Sequence, residues 1–211
     1  MTIVYTSHVS EWTAQDYQWM LQCLPMERVE KAKRFKASID RQSSLLAGLM
    51  IQQLIGPTIA YTTLGKPYCP VSETHFSVAH SDGFVVVAIS DQAIGVDCEH
   101  DKTPAIADIV SLFHPFEQVG IRSGRTSFSD IWTMKEAYGK WCGCGLNYDL
   151  STMYLARNRL YTGHIRLKPY IYHTVLASFT ITVCCTQSKR PQYEHFKRSV
   201  TYATSFNGNI N

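Results

Sequence analysis

The chain has 211 residues, 45% of them apolar and 18% charged, the balance of an ordinary globular protein with room for one large domain or two small lobes sharing a core. Its 20 basic and 17 acidic side chains leave a net charge of +3, too small to point to nucleic acid, although local basic patches could serve an anionic ligand. No signal-like start, no run near the about 18 apolar residues of a membrane span and no CxxC pair among the seven cysteines is present, so we expect a monomer of the reducing cytoplasm without membrane contact, disulfide framework or zinc site.

Taken in chain order, Pro25 to Ala37 reads as a helix, with proline in the first turn and MERVEKAKRFKA behind it. A second helix runs from about Asp40 through RQSSLLAGLMIQQLI and stops at Gly56-Pro57. The segments IAYTT, HFSVAHS, FVVVAIS and AIGVDCE then read as strands, separated by turns at Gly65-Lys66-Pro67 and Ser81-Asp82-Gly83. A helix is expected at about Ala105 to Phe113, followed by a Pro115-started turn or short helix. Ser127 or Ser129 can cap the helix DIWTMKEAYGKW, and Gly143 or Gly145 can end it. Strands return in STMYLAR, RLYTGHIRL and YHTVLASFTITVCC, and the polar tail from Gln187 is expected to be poorly ordered in parts. The stretches HFSVAHSDGFVVVAIS and TVLASFTITVCC echo each other, which suggests two α/β lobes.

Three constellations carry chemistry. In GVDCE, Asp97 and Glu99 are two apart and share one face of a strand. The pair is either a solvated strand end or two carboxylates that need a cation between them, and oxygen donors of this kind suit magnesium or manganese. In WTMKEAYGKW, a helix puts Ile131, Met134, Ala137, Tyr138 and Trp141 on a core stripe, with Trp132, Glu136 and Lys140 opposite. A solvated face accounts for the Glu–Lys pair but leaves Trp132 uncovered, whereas a cleft would cover it. Scattered phosphate-binding groups complete the set: Lys66 on a tight turn, His80-Ser81 after a strand, and Arg28, Lys31 and Arg34 along the first helix. No Walker-type or dinucleotide-binding glycine loop is present. Cys142 and Cys144 form a CxC pair without a second ligand pair, so no metal is assigned to them.

Together, GKP, FSVAHS, GVDCEH and WTMKEAYGKWCGCGL, with ERVEKAKRF upstream, resemble in order the motifs of surfactin-type (Sfp-like) 4′-phosphopantetheinyl transferases, W/KEA branch. The resemblance runs from about Met26 to about Leu150. It implies an α/β (α+β) fold of two similar lobes related by a pseudo-twofold, residues 1–95 and 96–211, forming one catalytic unit with the site between them. It implies transfer of the 4′-phosphopantetheine arm of coenzyme A to a serine of an apo carrier protein, with release of 3′,5′-ADP. The resemblance further implies magnesium, or manganese, on Asp97, Glu99 and Glu136, and Lys140 on the coenzyme A diphosphate. Lys66, His80, Arg28 and Lys31 would hold the 3′-phosphate, and Ser44 would lie near the adenine. Glu136 is the first candidate for the general base, with Glu99 or a metal-bound hydroxide as alternatives. Arg28 stands where lysine is usual, and Cys98 fills a position usually aliphatic. Carriers in this chemistry are usually acidic, and Phe113, Phe116 and Ile121 beside Lys102, Arg122 and Arg125 offer apolar anchors with a basic rim. A catalytically inactive coenzyme A- or carrier-binding homologue is the alternative reading.

Overall fold

A computed structural model describes residues 1–156 and 159–197. The chain opens with β1 (Thr2–His8), a single 3-10 turn and the helices α1 (Ala14–Cys23), α2 (Met26–Lys33) and α3 (Ser38–Leu54). A small hairpin, β2 (Ala60–Tyr61) and β3 (Pro67–Tyr68), carries the Gly65 turn. It is followed by β4 (His75–Ser81), β5 (Phe84–Ser90) and β6 (Ile94–His100). Three helices come next: α4 (Ala107–Ser111), α5 (Pro115–Arg122) and α6 (Phe128–Cys142). The chain then runs through β7 (Met153–Ala156), β8 (Arg159–Thr162), β9 (Ile165–Leu176), β10 (Phe179–Cys185) and β11 (Gln192–His195).

One sheet has the order β11-β1-β5-β4 and the other β6-β10-β9-β8-β7. Within them β1-β5-β4 and β6-β10-β9 are the same antiparallel unit twice: one strand, then intervening helices, then a hairpin whose second strand pairs with the first. The two sheets meet across a shared core of Val4, Phe84, Val86, Val96, Ile181 and Val183, with Phe84 and Phe179 stacked 4.6 Å apart. On the outer face of the first sheet, Val85 and Val87 pack under Leu46, Leu49 and Met50 of α3. On the second sheet, Cys184 and Ile171 pack under Ile131, Met134 and Ala137 of α6. Covering on both faces is why FVVVAIS and FTITVCC are nearly continuous apolar runs rather than alternating ones.

Several expectations change. The N-terminal segment left unassigned is β1, and α1 follows it behind a capping box in which Thr13 and Asp16 satisfy each other's backbone N–H groups. RLYTGHIRL is two strands, because Gly163 at φ +56 turns the chain between β8 and β9. IAYTT shrinks to the two residues of β2. Part of the tail is ordered: β11 pairs in parallel with β1, and Phe196 stacks on Trp12 at 6.2 Å. The remainder of that tail, 198–211, lies outside the described residues. Among the described residues no helix is long and apolar enough to cross a membrane, and the seven cysteines are free.

Both repeated hairpins close with two-residue turns in the left-handed region, Asp82-Gly83 (φ 46 and 85) and Ala177-Ser178 (φ 50 and 66). This suits the twist of an antiparallel pair, but only the first turn uses residues that tolerate it. The left-handed conformation costs an ordinary side chain about 1–2 kcal/mol. Ser178→Gly is therefore expected to raise stability by about 1 kcal/mol, read as a higher urea midpoint at unchanged slope. A lower midpoint would show that the serine stabilises the turn in some other way.

Candidate active site

The alternation of β6 builds the site. Ile94, Val96 and Cys98 enter the core between the sheets, so Gly95, Asp97 and Glu99 point the other way, toward α6. Helix α6 lies so close that a Cβ at Gly95 would stand 1.9 Å from the Ala137 carbonyl oxygen and 2.5 Å from the Trp141 nitrogen. Glycine is required here by approach, not by a turn. With the helix at this distance, its stripe of Trp132, Glu136 and Lys140 reaches over the strand.

The stripe opposite the core is thus a cavity wall. The cavity is about 400 Å³ and has Asp97, Glu99, Trp132, Glu136 and Lys140 on one side. Arg28 and Lys31 from α2, Ser44 from α3 and His80 from β4 line the other. Trp132 is covered on its far side by Phe113 and Phe128, stacked at 6.4 and 6.1 Å. Gly48 lets Arg28 lie flat on α3, since a Cβ there would meet the Arg28 Cγ at 2.7 Å.

Lys66 is not brought to this cavity. It lines an adjoining one of about 180 Å³, and its ammonium donates to the carbonyls of Ile94 and Trp141, both at 3.2 Å. The Trp141 carbonyl is one of the unsatisfied acceptors at the end of α6, a natural partner for a cation. Phe113 is likewise corrected: it is fully buried beneath Trp132, so it is core and not a docking anchor. Phe116 remains exposed, and Ile121 is partly buried against the core.

The charges are coupled. Lys140 Nζ donates to Asp97 Oδ1 at 2.7 Å. Burial lifts the Asp97 carboxyl to about 6, helped by the negative charge of Glu136 and Glu99 and opposed by Lys140. Burial also opposes the charge of Lys140, but Asp97 and then Glu136 outweigh it and raise its pKa. His80, edge-on to Phe35 at 6.0 Å, is held below its usual range by burial and then by Lys140. Burial and the neighbouring Arg28 lower Lys31. Glu99 is tied by one oxygen: Oε1 accepts from Ser81 Oγ at 2.6 Å, Thr103 Oγ1 at 3.0 Å and the His100 N–H at 3.2 Å.

Asp97, Glu99 and Glu136 fit a hard divalent cation in donor type and number. Burial and repulsion from Glu136 and Glu99 leave Asp97 short of positive charge, and the Lys140 ammonium stands in for a cation beside it. As they stand they are not drawn together, and among the described residues no three His, Cys, Asp or Glu side chains form a metal-holding group. An ion placed among them would share Asp97 with Lys140, whose ammonium donates to Oδ1.

One residue of the KEA triplet had no role assigned from sequence. Lys135 is fully buried and pairs with Glu117 Oε2 at 2.8 Å. It also donates to the carbonyls of Leu150 (2.8 Å) and Met153 (3.0 Å) and lies over the Phe113 ring at 5.2 Å. Glu117 in turn caps α5 through the His114 N–H and accepts from the Leu155 N–H of β7. The signal was legible: Ile131, Lys135 and Tyr138 are i, i+4, i+7 on the core stripe, and His114-Pro115-Phe116-Glu117 has the spacing of a capping box.

The family model of the 4′-phosphopantetheinyl transferase superfamily matches residues 93–199, just over half of the chain. The chain belongs to that superfamily. A 4′-phosphopantetheinyl transferase of Bacillus subtilis is 27% identical over 148 residues, 63% of this chain and 66% of the relative. The gsp 4′-phosphopantetheinyl transferase of Aneurinibacillus migulanus is 32% identical over 103 residues, 46% of this chain and 43% of the relative. The Sfp 4′-phosphopantetheinyl transferase of Bacillus subtilis strain 168 is 28% identical over 141 residues, 60% of this chain and 63% of the relative. The chain thus spans less than two thirds of the length of these relatives, and its likeness is to the Sfp type. The match begins at Ala93, just ahead of β6, and so includes the whole acidic side of the cavity.

The buried Lys135–Glu117 pair fixes α6 from the side opposite the cavity. Lys135→Met leaves Glu117 buried without its counter-charge and is expected to cost about 3–5 kcal/mol in urea unfolding. Adding Glu117→Gln should recover part of that loss, because it removes the uncompensated charge, while its amide keeps only one of the two oxygens that accept from the His114 and Leu155 N–H groups. A single substitution costing less than about 1 kcal/mol would mean that the pair does not anchor the helix.

Proposed function

We infer that this protein transfers the 4′-phosphopantetheine arm of coenzyme A to a serine of an apo acyl, peptidyl or aryl carrier protein, releasing 3′,5′-ADP. The observation that carries the reading is the single cavity with Arg28, Lys31 and His80 facing Asp97, Glu99, Glu136 and Lys140. A ligand with phosphate groups at two places and a divalent ion matches that division of charge. Residues 1–95 and 96–211 are read as the two lobes of one catalytic unit acting as a monomer in the cytoplasm, with β11 crossing back to the first sheet.

In this reading Asp97, Glu99 and Glu136 would hold magnesium or manganese. When bound, the ion supplies charge neutralisation for the diphosphate as the phosphoryl bond breaks. Arg28, Lys31 and His80 hold the 3′-phosphate, and an anion between them favours the protonated imidazole that burial now disfavours. Ser44 lies near the adenine. Lys140 passes from Asp97 to the diphosphate and offsets charge on the departing oxygen. Glu136 takes the proton from the carrier serine Oγ as that oxygen attacks phosphorus, with Glu99 as the alternative base.

The carrier is read as acidic and docked on α5. Phe116 is 72% exposed and Val119 53% exposed on that helix, with Arg122 in its last turn and Arg125 just beyond. Phe116 keeps its anchor role, and Phe113, buried in the core, drops out of the set.

Mass analysis of an apo carrier incubated with coenzyme A and magnesium tests the activity. A phosphopantetheine adduct is expected, lost with chelator and restored by magnesium or manganese. Asp97→Ala and Glu136→Ala should each remove most of it at saturating coenzyme A. Binding of coenzyme A without any adduct would favour the inactive homologue, and full activity in excess chelator would remove the ion from the reading.

Docking is tested separately. The Michaelis constant for the carrier should rise with salt, since attraction is screened over about 8 Å at physiological ionic strength. Phe116→Ser with Arg122→Glu should raise it at low salt and leave coenzyme A affinity nearly unchanged. Normal processing of carriers by this variant would move the docking surface elsewhere.

A further inference from the structure

Glu99 is held in a way that its neighbours in the cavity are not. Every hydrogen bond made by its carboxylate falls on Oε1, and the donors come from three places. Ser81 is the last residue of β4, on the first sheet. Thr103 lies in the turn after β6, and the His100 N–H belongs to β6 itself. The Ser81 bond, at 2.6 Å, has the length of a charge-assisted hydroxyl–carboxylate bond. Asp97, by contrast, is held among the described residues by its ion pair with Lys140 alone.

A free glutamate side chain has three rotatable bonds and loses about 1.5–2 kcal/mol of rotamer entropy when it is fixed. Donors placed in advance offset that loss before a cation arrives. By saturating Oε1 they also decide which oxygen is offered, leaving Oε2 without a donor among the described residues. Loss of supporting bonds of this kind typically costs about 10–100-fold in metal affinity.

We propose that Ser81 and Thr103 are positioning residues for the cation site. Their hydroxyls clamp Oε1 of Glu99 so that Oε2 is presented to a divalent ion beside Asp97. The proposal rests on the metal reading given above and adds that the first sheet takes part in it. Ser81 holds the ligand across the junction of β4 and β6, the same junction that the Val96 N–H crosses to Ser77 Oγ at 3.0 Å. Loss of that alignment would weaken the ion without removing any ligand.

The test is Mn²⁺ binding to the full chain, followed by electron paramagnetic resonance without coenzyme A or carrier, so that turnover does not enter. Ser81→Ala and Thr103→Val should each weaken Mn²⁺ affinity about tenfold, with a thermal midpoint within a few degrees of the wild type. Thr103→Ser, which keeps the hydroxyl, should restore the wild-type affinity. In a Glu99→Ala background, Ser81→Ala should have no further effect, because its route to the ion is then gone. Unchanged affinity in both hydroxyl variants would overturn the proposal. Tighter binding would overturn it too, by showing that the clamp holds Glu99 away from the ion. A wild type with no affinity for Mn²⁺ would remove the metal reading itself, an outcome distinct from the other two.

Discussion

The site depends on the contact between α6 and β6. No side chain fits between the Gly95 Cα and the backbone of Ala137 to Trp141, so helix and strand touch through their main chains. Side chains on either flank of that contact must then meet. Asp97, two residues further on the same strand face, finds Lys140 at 2.7 Å, and Glu136 is close enough to raise its pKa. The helix is fixed from behind by Lys135 and at its end by Gly139, where a Cβ would stand 2.0 Å from the Gly145 carbonyl oxygen. The chain after α6 folds back on the helix there, with Gly143 at φ +79 in the left-handed cap. Gly95, Lys135, Gly139 and Gly143 do not line this cavity, yet they set its shape.

Two lysines on one helix, Lys135 buried and Lys140 half-buried, illustrate different uses of the same charge. Lys135 has its ion pair and two carbonyls, with no solvent and no vacancy, and breaking such a set is costly. Lys140 has one carboxylate partner, with Glu136 also near, and it borders both the main cavity and the adjoining one. A cation with a single strong partner in a cavity can be exchanged. On the proposed reading that is its role, since a divalent ion would take over Asp97 and release the ammonium to a phosphate oxygen. The elevated pKa of Asp97 marks the same imbalance from the acidic side.

Much of this was legible from residue patterns. The hairpin HFSVAHS–FVVVAIS and the strand carrying GVDCE fall at or within one residue of β4, β5 and β6, because apolar runs bounded by Gly and Asp leave little choice. Helix α6 was legible from its caps and its stripe. Helix α1 was not, since AQDYQWMLQC carries scattered polar residues and buries only Asp16, Tyr17 and Met20. β1 was missed because a short N-terminal strand has no preceding turn to mark it. The placement of Lys66 could not be read at all. A lysine on a Gly-Pro turn next to a phosphate-binding set looks like a ligand, and only the third dimension shows it turned onto the end of α6. Phe113 failed for a related reason: nothing in the local pattern says that Trp132 will lie on top of it.

The duplication of the fold explains why the chemistry sits in one half. In the first sheet the outer face of the hairpin meets α3, and the contact is a seal of Phe76, Val85, Val87, Leu46, Leu49 and Met50. In the second sheet the equivalent face is partly polar. Thr133 of α6 shares a 2.6 Å hydrogen bond with Thr182, and Thr182 meets His173 Nδ1 at 2.9 Å. A helix over a polar stretch of sheet gives up some apolar burial, at about 25 cal/mol per Å² of surface. In return its edge can carry ionised groups close to the strand, which a purely apolar seal would exclude. The first half therefore contributes rigidity and the basic rim, through Arg28, Lys31 and His80, and the second contributes the carboxylates. The cavity lies where β4 of one unit meets β6 of the other, the junction at which the two kinds of charge can face each other.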